Sequence, residues 1–278
     1  MRQVLPFASS GERKCMLLKY YYWFFSIILL FGVCGRPHAT PIKSSPDAMP
    51  FAPGEKLTYE LRWGSIPAGT AFLEVQPVKT INGEPAYHFV LVAQSNSFVD
   101  VFYKVRDRID AFADIGMNRS VRYEKIQHEG SHKREEVIEF DWEKSQASYS
   151  NFGKKIEPIR LMDGSFDPLS AFYYTRTAPL DPDQGPLERP ITDGRKNVIG
   201  RLTVAARETI TLQNGKTYET LRVEPELQHV GGVFKATQNA KIQLWLTDDA
   251  QRIPVRIQSK VKIGHFTGEL ITPEGTRP

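Results

Sequence analysis

The sequence predicts a mainly β protein: one large antiparallel curled sheet or open barrel, with one short helix near residues 168–176. Segments with the two-residue alternation of β-strands follow one another from Lys56 onward, and short turn signals such as Asn-Gly separate them. One segment has the period of a helix instead. Because strands joined by short turns pair antiparallel, these observations favour a single antiparallel sheet.

The strand predictions depend on alternation and on turn residues. In residues 56–63 the apolar side chains fall on one face of the strand: Leu57, Tyr59, Leu61 and Trp63. After a turn at 65–69 the next strand extends to residue 78, and Asn82-Gly83 predicts a tight hairpin. Further strands are predicted at 85–95, 105–114, 119–127, 134–142, 201–212, 216–227, 241–249 and 252–264.

The helix is predicted by its first residues and by its apolar stripe. Asp167 is a structural candidate because aspartate suits the N-cap, and Pro168 suits the first helical position. The apolar positions that follow lie three and four residues apart: Leu169, Phe172 and Tyr173. We expect the stretch 177–197, which contains four prolines, to be a loop between two halves of the sheet.

The first 39 residues have the features of a secretory signal peptide. Residues 20–33 carry no charge, Arg13, Lys14 and Lys19 lie shortly before them, and a small-residue cleavage signal ends at Ala39. This run is short for a membrane span, which needs about 20 apolar residues. We expect export and cleavage after Ala39. An uncleaved anchor is the alternative, and Met16 is an alternative to Met1 as the start.

Both cysteines, Cys15 and Cys34, lie in this leader. Acylation of Cys34 is a further alternative, but Val33 precedes it where a small residue is normal. Cleavage leaves a mature chain without thiols, which excludes disulfides, thiolate metal sites and cysteine nucleophiles.

Composition divides the rest of the chain into a tether at 40–54, one β-rich domain at 55–270 and a tail at 271–278.

The charge balance argues against nucleic-acid binding. Of 36 cations and 32 anions, five and one lie within residues 1–39, which leaves 31 of each in the body. Because a phosphate backbone is bound by a concentrated positive field, a formally neutral body predicts no nucleic-acid partner.

Four segments together resemble the domain of unknown function 3108 family. They are GEKLTYELRWGSIPAG (54–69), VRDRID (105–110), FDPLSAFYYTR (166–176) and WLTDDAQRIPVRI (245–257). The resemblance covers about residues 50–270. It implies an exported bacterial envelope protein with an open, curled sheet like that of periplasmic lipoprotein carriers. It implies no activity.

The motif His128-Glu129-Gly130-Ser131-His132 fits the H-E-x-x-H pattern of zinc peptidases. That pattern works on a helix, where residues four apart share one face. Here strand patterns flank the motif and Gly-Ser is at its centre, so we expect a hairpin tip and no metal. Serine-hydrolase elbows, phosphate loops and dinucleotide fingerprints are absent from the sequence. No cofactor is predicted.

Other charged residues are expected to be structural. Asp248 and Asp249 are adjacent, and adjacent strand or turn residues point apart, which argues against an acid–base pair. We expect a turn in which an aspartate, such as Asp249, accepts backbone N–H groups and pairs with Arg252. Asp107 and Arg176 are candidates for a buried salt bridge between helix and sheet. Alternatively, Arg176 binds an anionic head group.

The many aromatic side chains allow two interpretations. They fill an ordinary core, or a curled sheet leaves part of them exposed as an apolar cleft for an acyl chain. The candidate ligand-binding residues are Trp63, Tyr103, Tyr173, Arg176 and Trp245.

The sequence thus favours a non-enzymatic periplasmic or outer-envelope protein that binds or chaperones an amphiphile, such as a lipid, or an envelope polymer. Membrane contact without a mature transmembrane segment is compatible with this hypothesis. A second hypothesis is a scaffold that docks on an envelope protein partner through exposed strand edges. A third is a metal-dependent hydrolase that uses His128 and His132.

Overall fold

The computed structural model of the protein describes residues 49–226, 241–260 and 265–277. These residues form one 15-stranded antiparallel sheet and two helices. In chain order the elements are β1 (Lys56–Trp63), β2 (Ile66–Ile81), β3 (Glu84–Ser95), α1 (Ser97–Asp100), β4 (Val105–Asp114), β5 (Ser120–Glu129), β6 (His132–Asp141), β7 (Gln146–Asn151), β8 (Lys154–Lys155), β9 (Ile159–Arg160), α2 (Pro168–Thr177), β10 (Leu187–Thr192), β11 (Asn197–Thr211), β12 (Thr217–Pro225), β13 (Lys241–Thr247), β14 (Pro254–Lys260) and β15 (His265–Glu274).

The strands follow a meander in which the first and last strands meet inside the sheet. The order is β10-β11-β12-β13-β14-β15-β1-β2-β3-β4-β5-β6-β7-β8, and β9 also pairs with β7. The pair β1–β15 joins the two halves of the chain: Lys56 lies opposite Glu274, and Trp63 lies opposite Phe266. The prediction of a large, open antiparallel sheet is confirmed.

Local sequence explains the turn between β2 and β3. Asn82 and Gly83 both have positive φ angles, 51° and 86°, and they join Ile81 to its partner Glu84. Asparagine and glycine tolerate this left-handed backbone, so the pair sets the register of β2 against β3. The hairpin predicted from this dipeptide is confirmed.

The helix α2 packs on the inner face of the sheet, the face that carries the core. The Asp167 carboxylate accepts from the backbone N–H groups of Leu169 and Ser170, each at 2.9 Å, and caps the helix. Deeper in, Tyr173 stacks on Phe89 of β3 with ring centroids 3.9 Å apart. The one helix predicted from the sequence is therefore present, and it is fixed to the sheet by aromatic packing.

The segment before β1 differs from the tether expected at 40–54. Met49 and Phe51 are buried, and Phe51 is 0% exposed. The Phe51 ring meets Tyr87, Phe89 and Tyr173 edge-on, with centroids 5.3 to 5.4 Å apart. The proline and serine content of this stretch predicts a tether, but burial of the Phe51 ring outweighs that preference. The rest of the expected tether, 40–48, and the leader lie outside the described residues.

Two other expected boundaries also differ. The stretch 177–197, which was expected to be a loop, contains the strand β10. Pro190 is compatible with this strand because β10 lies at the edge of the sheet, where the missing N–H of proline costs no ladder bond. The expected tail, 271–278, begins inside β15, which runs on to Glu274 beside β1. The short helix α1 has no counterpart among the predicted elements.

We expect Phe51→Ala to lower the free energy of unfolding by about 3–5 kcal/mol, because it leaves a cavity among three aromatic rings. Urea unfolding followed by circular dichroism measures the change. The matched control is Phe98→Ala, at a ring 62% exposed, which should change stability by less than about 0.5 kcal/mol. Equal effects of the two changes would contradict the placement of Phe51 in the core.

Candidate functional site

A pocket lies between α2 and the inner face of β10–β14, with a cavity volume of about 80 Å³. Its walls are mostly apolar. The helix and the sheet contribute, among others, Ala171, Phe172, Leu187, Leu202, Leu244 and Ile257.

The strand pattern explains why this wall is apolar. In β13, Ile242 and Leu244 line the pocket, whereas Trp245 falls on the opposite face of the strand. There the Trp245 indole N–H donates to Glu208 at 2.6 Å, and the Arg256 guanidinium lies 5.6 Å from the ring. The candidate ligand residue Trp245 is therefore not part of the pocket.

Two arginines border the pocket, and both are partly exposed. Arg201 is paired with Glu188, Nε to Oε1 at 2.6 Å, so its charge is matched. The Arg189 guanidinium lies 4.3 Å from the centroid of the Tyr174 ring and donates to its hydroxyl. No carboxylate in the described part of the chain forms a salt bridge with Arg189. The pocket therefore joins an apolar wall to one cation without an acidic partner.

The candidates Tyr173 and Arg176 lie in the core instead. Tyr173 is 0% exposed between aromatic rings. The Arg176 guanidinium pairs with the Glu55 carboxylate through two contacts of 2.5 and 2.9 Å, and both side chains are fully buried. It also donates to the backbone oxygens of Pro50 and Gln251. The Arg176 charge is thus already paired inside the protein and is not left for the anionic head group of a ligand.

The expected salt bridge between Asp107 and Arg176 does not form, because Glu55 takes that role. Glu55 was not identified from the sequence, where it lies just before the first predicted strand. Glu55 is buried close to Phe51, and there it contacts Arg176 in the last turn of α2.

The remaining ligand candidates lie at the end of the sheet. Trp63 is partly exposed and stacks on Phe266, with ring centroids 6.1 Å apart. Tyr103 is buried under the turn at Gly130, where a Cβ atom added to the glycine would lie 2.7 Å from the Tyr103 ring.

None of the five candidate ligand-binding residues lines the pocket between α2 and β10–β14. The residues that do were missed, because alternation shows which side chains share a face but not which face receives the helix.

A second group of buried side chains is polar and lies on the inner face of β4–β6. Asp107 and Glu129 are 5% and 1% exposed. The Asp107 carboxylate accepts from the backbone N–H of His128 at 2.9 Å, and Glu129 accepts from Gln127 at 2.8 Å. Burial and the nearby Asp107 raise the pKa of Glu129 to about 8, and burial raises the pKa of Asp107. The two carboxyl groups are therefore not both ionised at neutral pH.

A matched ion pair accompanies these carboxyl groups. The Lys125 ammonium lies 3.0 Å from the Glu136 carboxylate, and both are buried. Glu136 also accepts from Tyr149 and Arg134. Burial by itself would raise the pKa of Glu136, but the Lys125 charge and the hydrogen bonds from Lys125 and Tyr149, with the Arg134 charge, together outweigh it, and the net shift of this pKa is downward. These groups neutralise one another inside the sheet, which indicates a structural role for them.

Comparison with known proteins places the chain in a family. A family model described as a protein of unknown function, DUF3108, matches residues 58–271. The chain belongs to the DUF3108 family. The resemblance noted in four sequence segments is thereby confirmed. No curated protein matches the chain.

A solved structure shares the fold. The chain is similar to a β-barrel-like protein of domain of unknown function DUF1849 from Brucella abortus, with a TM-score of 0.51 and 10% sequence identity. The match covers 80% of this chain and 97% of that chain. At this identity the likeness concerns the fold alone.

Neither helix in the described ranges is long and apolar enough to cross a bilayer.

The H-E-x-x-H motif lies on a hairpin, with Glu129 paired to His132 across the turn between β5 and β6. His128 and Glu129 are neighbours on a strand and so point to opposite faces, one exposed and one buried. The helical face that a zinc peptidase needs is not formed. Across 49–226, 241–260 and 265–277, no group of three or more His, Cys, Asp or Glu side chains is arranged to hold a metal ion.

In the turn after β13, the two adjacent aspartates have different partners. Asp249 accepts from the backbone N–H groups of Gln251 and Arg252 at 2.9 and 3.1 Å, and from the Thr247 hydroxyl. The Arg252 side chain pairs with Asp248 instead, at 3.2 Å. The paired carboxylates are thus used to shape a turn.

The raised pKa of Glu129 predicts a loss of stability with rising pH. Between the ordinary value of 4.5 and the folded value of about 8, the folded chain holds a proton that the unfolded chain has released. The free energy of unfolding therefore falls as pH rises through this window, by up to about 1.4 kcal/mol per pH unit. We expect Glu129→Gln to flatten this decline.

Urea unfolding between pH 4.5 and 8.5 measures the effect. The control is Glu135→Gln, which changes an exposed carboxylate on β6. An unchanged pH slope in Glu129→Gln would contradict the shared proton between Glu129 and Asp107.

Proposed function

We propose that the protein binds the apolar end of an amphiphilic molecule between α2 and β10–β14, and that it acts as a carrier or binding protein of the cell envelope. The observation that carries this proposal is the partly unfilled apolar wall with Arg189 at its border. An apolar wall favours a hydrocarbon segment, and a cation without an acidic partner favours an anionic or polar head.

The size of the pocket limits what enters it. Its volume of about 80 Å³ is below the roughly 300–1,000 Å³ of pockets that enclose whole small molecules. The end of a chain fits, and the rest of the ligand lies along the open side. Burying about four methylene groups contributes about 3 kcal/mol, which suits a ligand that is taken up and released.

The alternative of docking through strand edges has less support. The sheet order ends at β8, of two residues, and at β10, of six residues. Pro190 lacks a donor, and its carbonyl already accepts from the N–H of Phe166. Short and partly covered edges give an added strand few backbone groups to bond.

Native mass spectrometry of the protein purified from envelope extracts tests the proposed function. We expect a co-purified amphiphile, and we expect N-phenyl-1-naphthylamine to fluoresce more strongly with the protein than without it. The absence of both results would contradict the proposal. A protein partner retained at constant stoichiometry, with no amphiphile, would favour the docking alternative.

We expect Ala171→Phe to weaken dye binding by about tenfold or more, because the ring occupies the cavity. The matched control is Ala205→Phe, at an exposed position of β11, which should leave binding unchanged. Because overpacking can destabilise a core, the thermal unfolding midpoint of each variant is measured as well. Equal dye affinity in both folded variants would exclude this pocket as the binding site.

Arg189→Gln tests the head-group part of the proposal. We expect it to weaken binding of dodecanoate by roughly tenfold and to change binding of dodecanol little, because only dodecanoate carries a negative charge. Displacement of the dye by each compound measures both affinities. Equal losses for the two compounds would show that Arg189 supports the pocket without selecting a charge.

A further inference from the structure

A short segment with exposed apolar side chains lies at one end of the sheet, in the connection from β3 to β4. Three large side chains on or just after α1 form it, and we refer to them as the apolar tip: Phe98, Val101 and Phe102. They are 62%, 77% and 62% exposed. The tip is separate from the pocket at α2 and shares no residue with it.

Polar contacts hold the tip in place. The Asn96 side chain accepts from the Val99 N–H at 2.9 Å and donates to the Pro67 carbonyl at 2.8 Å, which fixes α1 to β2. Asp100 receives two bonds from Arg106, at 2.6 and 3.1 Å. These contacts order the connection without covering its apolar side chains.

The arrangement indicates a surface that is ready to bind. Single exposed apolar residues are common, but a contiguous exposed cluster marks an interaction site. The rings of Phe98 and Phe102 meet edge-on, with centroids 5.8 Å apart, so these two side chains form one continuous apolar surface. Because the chain is already ordered, little conformational entropy is lost when the tip is covered.

The charges around the tip are cationic. Lys104 follows the tip, and its carbonyl accepts from the N–H of Gly130, which brings the β5–β6 hairpin and its Lys133 to the same end. Both lysines are exposed, and no described carboxylate forms a salt bridge with either. The nearby acid Asp100 is neutralised by Arg106. The free charge beside the tip is therefore positive.

We propose that the apolar tip inserts into the interface of a lipid bilayer that contains anionic lipids, with Lys104 and Lys133 on the head groups. A small exposed apolar tip with flanking cations matches a soft, negatively charged surface, whereas a protein hot spot usually fills a matching pocket. The site lies on different residues from the pocket, so either proposal can fail without the other.

Binding to vesicles of phosphatidylcholine and phosphatidylglycerol in a 3:1 ratio tests the proposal. The protein is used as the cell processes it, so residues 1–48 are the same in every variant. We expect Phe98→Ser with Phe102→Ser to weaken binding by about 100-fold, at about tenfold for each ring removed from the bilayer. The matched control is Phe152→Ser, at a ring 57% exposed elsewhere, which should bind as the wild type does.

The lysines are tested in the same assay. We expect Lys104→Gln with Lys133→Gln to weaken binding by about 25-fold at low salt, at about fivefold for each charge. The difference from the wild type should shrink on vesicles of phosphatidylcholine alone. An equal loss on both vesicles would overturn the charged part of the proposal.

Fluorescence quenching decides the position of the tip directly. We expect Phe102→Trp to be quenched by brominated lipid in the vesicles and Phe152→Trp to be quenched much less. This result supports insertion even where another part of the chain also holds the protein on the vesicle. Equal quenching, or no binding by the wild type, overturns the proposal. Loss of a cross-linked protein partner in the Phe98 and Phe102 variants, with vesicle binding intact, would identify a protein surface instead.

Discussion

The guanidinium of Arg176 bonds to parts of the chain that are distant in sequence. From α2 it reaches the Glu55 carboxylate ahead of β1 and the backbone oxygens of Pro50 and Gln251. Taking two charges out of water is costly, and this geometry repays the cost through several charge-assisted bonds. Removing one partner would leave the other charge buried and unpaired. The pair thereby holds α2 over the inner face, and α2 forms one wall of the pocket.

The inner face has two chemically different regions. Toward β4–β6 it carries matched charges and a shared proton, centred on Lys125, Glu136 and Glu129. Toward β10–β14 it is apolar and incompletely filled. Because a hydrocarbon segment gains nothing from the charged region, the asymmetry of the sheet favours the β10–β14 side of α2 for the apolar ligand that we propose. The fold alone, shared with a protein at 10% identity, would not specify this side.

Local rules explain what the sequence predicts well. Alternation identifies the strands, Asn82-Gly83 identifies a hairpin, and Asp167 with Pro168 identifies the start of α2. Each of these signals acts over a few neighbouring residues. The pairing of β1 with β15, the burial of Phe51 and the partnership of Glu55 with Arg176 are long-range, and no local pattern encodes them. The candidate site was less predictable for the same reason, since it depends on which face of each strand meets the helix.

The pairing of β1 with β15 also determines when the sheet can be completed. Trp63 and Phe266 face each other across this pair, although they are roughly 200 residues apart in the chain. Until β15 has been synthesised, β1 and β14 each present an unpaired edge, and such edges are open to wrong partners. A chain interrupted before β15 is therefore an aggregation-prone species, even though it contains fourteen of the fifteen strands that the described residues form.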